Sequence, residues 1–148
     1  MKVREVMSRQ VTALKPEDNA RQALNFLFEK EISGLPVIDA EGRLAGMFTE
    51  KEVLSYILPS YIEQVGRFIY EENPKSTKKK ILELNNMQVQ QIMRKEVVTT
   101  GEDATLCEVA RIMLTKKARR LPVVDAAGKV VGIVARIDVV RAMAKEIE

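Results

Sequence analysis

The chain has 148 residues, of which 46% are hydrophobic and 30% charged, and this balance predicts a folded globular protein rather than a disordered one. Histidine is absent and cysteine occurs once, so an intrachain disulfide is excluded and the usual ligands of a zinc site and the usual general base of a hydrolase are missing. The net charge of +3 permits an anionic partner without requiring nucleic acid. No apolar run approaches the roughly 20 residues of a membrane span, and the N-terminus has no signal-like stretch, so we expect a cytoplasmic protein.

The first part of the chain predicts the element order β-α-β-β-α. A short apolar strand over 11–14 precedes a helix whose buried face is indicated by apolar residues at helical spacing, namely Ala20, Ala23, Leu24 and Leu27. A hairpin follows, with strands over 35–39 and 44–48 and a glycine, Gly42, in the turn. A closing helix is expected from Glu50 to about Leu58.

Residues 57–87 predict a helical insert. Its aromatic residues, which include Tyr61 and Phe68, recur at helical spacing and indicate packing of an extra helix; a stacking surface for bases is the alternative interpretation. Lysines over 75–80, with Lys78–Lys80 at the end, favour a solvated helix face, and an anion or nucleic-acid patch is the alternative.

The remaining residues repeat the first pattern. Leu35–Gly42 reads almost identically to Leu121–Gly128, an offset of 86 residues that holds without gaps from about residue 3 to residue 55. The second copy predicts a strand over 97–100, a helix, a hairpin over 121–125 and 130–134, and a closing helix from Arg136 to about Ile147. We therefore predict an α+β fold of two β-α-β-β-α repeats, divided as 1–56, 57–87 and 88–148.

The repeats resemble the CBS domain, and their tandem resembles a CBS pair, or Bateman module. The matching elements are Val6-Met7 with Ile92-Met93, the Leu-Pro hairpin strands, and the motif Gly-h-h-[Ser/Thr]-x-x-[Asp/Asn], seen as Gly46–Glu52 and Gly132–Asp138. The resemblance implies pseudo-two-fold packing of the repeats, two clefts between them, and further dimerisation. It also implies an adenosine-containing ligand in an inter-repeat cleft (AMP, ADP, ATP or S-adenosylmethionine) and regulation of a separate protein.

The resemblance further implies that the carboxylate of the last motif binds ribose, that the Ser/Thr lies near phosphate, and that the strand near Leu-Pro recognises the base. In the first copy the corresponding residues are Leu35, Pro36, Thr49 and Glu52. In the second they are Asp138 with Thr99, Thr100, Arg119, Arg120, Leu121, Pro122 and Arg136.

Neither copy has the complete motif, because Glu52 is one methylene longer than Asp and Ala135 lacks the hydroxyl. We therefore expect asymmetric binding, with the Asp138 site the better one and Arg136 replacing the hydroxyl by charge. The alternative is that Asp138 only caps the closing helix, that the arginines are solvated, and that Pro36 and Pro122 serve hairpin geometry.

Three functions follow, in order of preference. The first is a ligand-sensing regulatory module without enzymatic activity, metal or required cofactor, which forms a homodimer and acts on a partner that the sequence does not identify. The second is a ligand-free dimerisation or interaction scaffold that uses the aromatic insert. Nucleic-acid binding through Lys78–Lys80 and the basic arginines is the third and least favoured.

Overall fold

The computed structural model of the protein describes residues 1–58 and 74–147. Within these ranges the helices are α1 (Ala20–Lys30), α2 (Glu50–Ile57), α3 (Pro74–Glu83), α4 (Leu106–Thr115) and α5 (Arg136–Ile147). The strands are β1 (Gly34–Ile38), β2 (Leu44–Thr49), β3 (Thr100–Gly101), β4 (Arg120–Val124) and β5 (Val130–Ala135). Short 3-10 turns lie at Val3–Glu5, Leu84–Asn86 and Val89–Gln91. None of the helices in the described ranges is long and apolar enough to cross a membrane.

The first helix of each repeat begins at a side-chain cap and ends at a left-handed backbone residue, and these lie at equivalent positions of the two repeats. Asn19 accepts a hydrogen bond from the backbone N–H of Gln22 at the start of α1, and Thr105 accepts one from Glu108 at the start of α4. Glu31 and Lys117, just beyond these helices, both adopt left-handed backbone conformations, with φ of 54° and 55°. Residues that are 86 positions apart therefore have the same backbone geometry and the same kind of cap at the ends of these helices.

The strands pair in the order that the repeat predicts. β1 pairs with β2, while β3 is parallel to β4 and β4 is antiparallel to β5. In the first repeat the opening strand is reduced to a parallel bridge between Leu14 and Val37, equivalent to the pairing of Thr100 with Val123 in the second. The predicted α+β fold with two β-α-β-β-α repeats is confirmed. Of the predicted insert, the described part is α3 and the short turn after it, and the rest lies outside the described residues.

The chain forms two compact units. Each includes the segment that precedes the first strand of the other repeat: residues 1–12 pack with the second repeat, and residues 88–95 pack with the first. We call these two segments the lead-in segments. Among the described residues, the Asp138 unit consists of Met1–Thr12, Ala40–Leu44 and 96–147, and the Glu52 unit consists of Ala13–Asp39, 45–58 and 74–95. The two packed units therefore do not coincide with the two repeats as these follow one another along the sequence.

Each unit has its own hydrophobic core. The Asp138 unit buries Val3, Met7, Leu106, Val109, Met113, Leu121, Val123, Val134, Val139 and Ala142. The Glu52 unit buries Leu14, Ala20, Ala23, Leu24, Leu27, Leu35, Val37, Phe48, Val53, Ile57, Leu84 and Val89. Val3 and Val89 are the equivalent lead-in residues, and both are completely buried. Burying a side chain of this size contributes about 1.5–3 kcal/mol, so each lead-in is an integral part of its unit.

Two glycines allow the lead-ins to approach closely. A Cβ atom on Gly132 would lie 2.7 Å from Met7 Sδ and 2.8 Å from the Ser8 carbonyl oxygen. A Cβ atom on Gly46 would lie 2.6 Å from the Arg94 carbonyl oxygen. Because such contacts are closer than van der Waals packing allows, only glycine fits at either position.

Candidate ligand-binding site

In the Asp138 unit, four of the predicted residues of the second copy lie at or beside the junction between β5 and α5, namely Arg119, Arg120, Arg136 and Asp138. The Arg136 N–H donates to the Arg119 carbonyl oxygen at 3.0 Å. Arg120 is paired with Ala135 across the β4–β5 ladder. The two adjacent arginines therefore lie beside the start of α5, where the helix dipole favours anions.

Asp138 lies in the first turn of α5 and uses its two carboxylate oxygens differently. Oδ2 accepts a hydrogen bond of 2.9 Å from the backbone N–H of Ala135, which has no side-chain oxygen of its own to cap the helix. Oδ1 lies 3.9 Å from Nη1 of Arg141, and the Asp138 side chain is 27% exposed. Helix capping therefore occupies one oxygen and leaves the other only loosely paired.

Arg136 is bound by its own unit rather than directed towards an anion. Its Nε donates to the Ala118 carbonyl oxygen at 3.1 Å, and its Nη2 donates to the Met113 carbonyl oxygen at 3.3 Å. These carbonyls belong to the C-terminal end of α4 and the residues after it, where helical hydrogen bonds are missing. Arg119 and Arg120, in contrast, are exposed, and their guanidinium groups have no partner among the described residues.

The other predicted residues of the second copy lie on β3 and β4. Thr100 is buried and pairs with Val123, whereas Thr99, just before it, is half-buried. Leu121 and Pro122 are completely buried in the core. Their side chains therefore serve packing, and only their backbone groups remain to recognise a base.

A groove of about 240 Å³ adjoins Asp138 within the same unit. It is lined by Met1, Glu5, Val6, Asp138, Arg141, Ala142 and Lys145. Sequence reasoning missed Arg141 and Lys145, although their spacing from Asp138 along the closing helix, at i+3 and i+7, places all three on one face. The groove thus combines two carboxylates, Glu5 and Asp138, with two cations, Arg141 and Lys145.

In the Glu52 unit, the equivalent residues are engaged with one another. The Thr49 hydroxyl accepts a hydrogen bond of 3.2 Å from the Lys51 N–H and donates to Glu52 Oε2. Glu52 Oε1 lies 3.3 Å from Nη1 of Arg94, and the Glu52 side chain is only 10% exposed. Both carboxylate oxygens of the first copy therefore already have partners.

The Leu-Pro element of the first copy is buried like that of the second. Leu35 and Pro36 lie in the core of the Glu52 unit, and the Pro36 carbonyl oxygen accepts a hydrogen bond of 2.9 Å from the Leu14 N–H. The Pro36 carbonyl therefore takes part in pairing β1 with the opening segment, while the role of Pro36 and Pro122 towards a base stays a prediction.

Lys80, at the end of the lysine run, contacts two side chains of its own unit. Lys80 Nζ lies 3.7 Å from Glu83 Oε2 and 4.8 Å from the ring centre of Tyr56. The Tyr56 hydroxyl donates to Glu83, which lowers the pKa of that carboxyl and raises the pKa of Tyr56. Lys78 and Lys79 are exposed, and the aromatic residues Tyr61 and Phe68 lie outside the described residues.

The two repeats match the CBS domain family over residues 3–59 and 89–145, so the chain belongs to this family as a tandem CBS pair. The uncharacterized protein MJ1426 of Methanocaldococcus jannaschii is 31% identical over 97% of this chain and 91% of its own length. The chloroplastic CBS domain-containing protein CBSX1 of Arabidopsis thaliana is 33% identical over 87% of this chain. This chain spans only 57% of the length of that plant relative.

Among solved structures, the chain is similar to the CBS-pair protein CBSX2 of Arabidopsis thaliana in complex with AMP. The sequences are 30% identical, the TM-score is 0.75, and the match covers 99% of this chain and 98% of the other. The similarity therefore extends over both repeats.

Proposed function

We propose that this protein is a regulatory module that binds an adenosine-containing ligand in the Asp138 unit and acts on a separate protein without catalysing a reaction. The observation that carries the proposal is the similarity, over almost the whole chain, to a CBS pair in complex with AMP. The loosely paired Asp138 oxygen supports it, because a carboxylate can accept hydrogen bonds from ribose hydroxyls.

The surroundings of Asp138 suit the other parts of a nucleotide. Arg119 and Arg120 are exposed cations at the start of α5 and could pair with phosphate oxygens. The half-buried Thr99, which precedes β3, supplies a hydroxyl within the same unit. Arg136 is a weaker candidate than the sequence indicated, because two of its donors bind carbonyl oxygens of its own unit.

A thermal-shift series with AMP, ADP, ATP and S-adenosylmethionine tests the proposal. A ligand present at 100 times its dissociation constant stabilises the folded state by about 2.7 kcal/mol. For a chain of this length that corresponds to a rise in Tm of roughly 5–11 °C. AMP is the first candidate, and a chain that none of the four ligands stabilises at millimolar concentration would not be an adenosine sensor.

We further propose that the module acts as a homodimer. Large apolar side chains are exposed at equivalent positions of both repeats, namely Phe28 with Leu114 and Leu54 with Val140. Matching patches of this kind suit a two-fold contact with a second copy. Light scattering of the wild type and of Leu54→Lys/Val140→Lys tests this, and a wild type that is monomeric at micromolar concentration would contradict it.

The same exposed residues favour an interaction scaffold as the second candidate function. A stable dimer that no adenosine ligand stabilises would select the scaffold over the sensor.

A further inference from the structure

Ser8 and Arg94 occupy equivalent places in the two units. Ser8 forms an antiparallel bridge with Ile133, and Arg94 forms the same kind of bridge with Met47. The backbone hydrogen bonds that make these bridges are 2.8–2.9 Å long in both cases. The side chains of Ser8 and Arg94 therefore start from equivalent positions in the two units.

The nearby motif carboxylate has a different environment in each unit. Arg94 places Nη1 at 3.3 Å from Glu52 Oε1, and the Glu52 side chain is nine-tenths buried. Ser8 is exposed, and its hydroxyl donates to the Gln10 carbonyl oxygen instead. Asp138 has no lead-in cation in the described part of its unit that corresponds to Arg94.

We propose that Arg94 closes the first-copy site, so that the module binds one adenosine ligand per chain, through Asp138. This inference rests on the proposed function. A ribose hydroxyl could reach the Glu52 carboxylate only by displacing a guanidinium group. That exchange replaces a charge-assisted pair with a hydrogen bond from a neutral donor, which is weaker. The residue at position 94 in the Glu52 unit, and the residue at position 8 in the Asp138 unit, therefore determine whether the site binds the ligand. Each acts by pairing, or not pairing, with the motif carboxylate of its unit.

The Glu52 unit retains the hydroxyl of the family motif and the helix start beside it, while Ser33 and Gly34 stand where the other copy has Arg119 and Arg120. Thr49 supplies the hydroxyl that Ala135 lacks, and it lies at the start of α2. Shortening the Glu52 carboxylate by one methylene completes the family motif, and removing the Arg94 guanidinium frees that carboxylate, while the buried apolar core of the unit is left unchanged.

The test is isothermal titration calorimetry with AMP on the full chain. The wild type is expected to bind one AMP per chain, and Arg94→Ser/Glu52→Asp is expected to bind two. Glu52→Asp alone is the matched control: it keeps Arg94 and is expected to bind one. Thermal melts check that each variant unfolds cooperatively.

A second arm leaves the first-copy site untouched and does not depend on the double variant. Ser8→Arg introduces a guanidinium at the position of the Asp138 unit that is equivalent to Arg94, and it is expected to weaken AMP binding about tenfold or more. Ser8→Gln, which is long but uncharged, should change the dissociation constant less than threefold.

The outcomes separate this inference from the proposed function. One AMP per chain in both the wild type and a folded double variant would overturn the role of Arg94 and keep the sensor. Two AMP in Glu52→Asp alone would assign closure to carboxylate length and also overturn it. No binding by the wild type together with one AMP in the double variant would overturn the sensor and support the role of Arg94. No binding by either protein would overturn both.

Discussion

Asp138→Asn separates the two roles of this side chain. The amide oxygen of Asn can still accept from the Ala135 N–H, as Oδ2 does at 2.9 Å in the wild type, so the start of α5 is preserved. The negative charge that a ribose hydroxyl would meet is lost. A hydrogen bond to a charged group contributes about 1.5–3 kcal/mol, so the dissociation constant for AMP should rise roughly 10- to 150-fold.

The cost in stability should be small by comparison. Losing a negative charge in the first turn of a helix costs about 0.3–1 kcal/mol, which lowers Tm by about 1–4 °C in a chain of this length. Titration calorimetry gives the dissociation constant, and a melt without ligand gives Tm. Glu52→Gln is the matched control, because Glu52 is already paired with Arg94, and its effect on AMP binding should stay within about twofold. An effect on binding of less than threefold for Asp138→Asn, or an equal effect of the control, would refute the reasoning.

Three further predictions concern stability. Phe48 is completely buried, so Phe48→Ala should lower the free energy of unfolding by about 3–5 kcal/mol in urea; a loss below about 1 kcal/mol would mean that the Glu52 unit is not packed as described. Gly132→Ala would place a methyl group 2.8 Å from the Ser8 carbonyl oxygen and should cost about 1–3 kcal/mol and expose the N-terminal segment to limited proteolysis; an unchanged digestion pattern would argue against the close approach. The hydrogen bond from Tyr56 lowers the pKa of Glu83, so this carboxylate adds stability above its ordinary pKa of 4.5 that is lost as the pH falls through the lowered value. Tyr56→Phe should reduce that loss of Tm between about pH 7 and about pH 3, and identical profiles for the two proteins would contradict the assignment.

The repeat made the fold predictable. Turn glycines and capping residues recur at a fixed offset, as Gly42 and Gly128 do with φ of 83° and 81°. Because these residues act through local backbone geometry, a single sequence is enough to place the hairpins and helices within a residue or two.

The environment of each carboxylate could not be predicted in the same way. Arg94 and Glu52 are separated by 42 residues, and no periodic pattern links them. The side-chain hydrogen bonds of Arg136 depend equally on where α4 ends in space, because its acceptors precede it by 18 and 23 residues. Charge alone identified Arg136 as a phosphate ligand, whereas tertiary packing directs two of its donors elsewhere.

The exchange of lead-in segments has a consequence for the order of folding during synthesis. All of the Glu52 unit lies before residue 96, so its core can be completed while the rest of the chain is still being made. The Asp138 unit has to bring Arg4 to Asp103, across 99 residues, before its core can close around Val3. Contacts over such separations form slowly. The first twelve residues therefore remain without their final partners until the second repeat has emerged, and we expect the unit that carries the proposed ligand carboxylate to fold after the Glu52 unit.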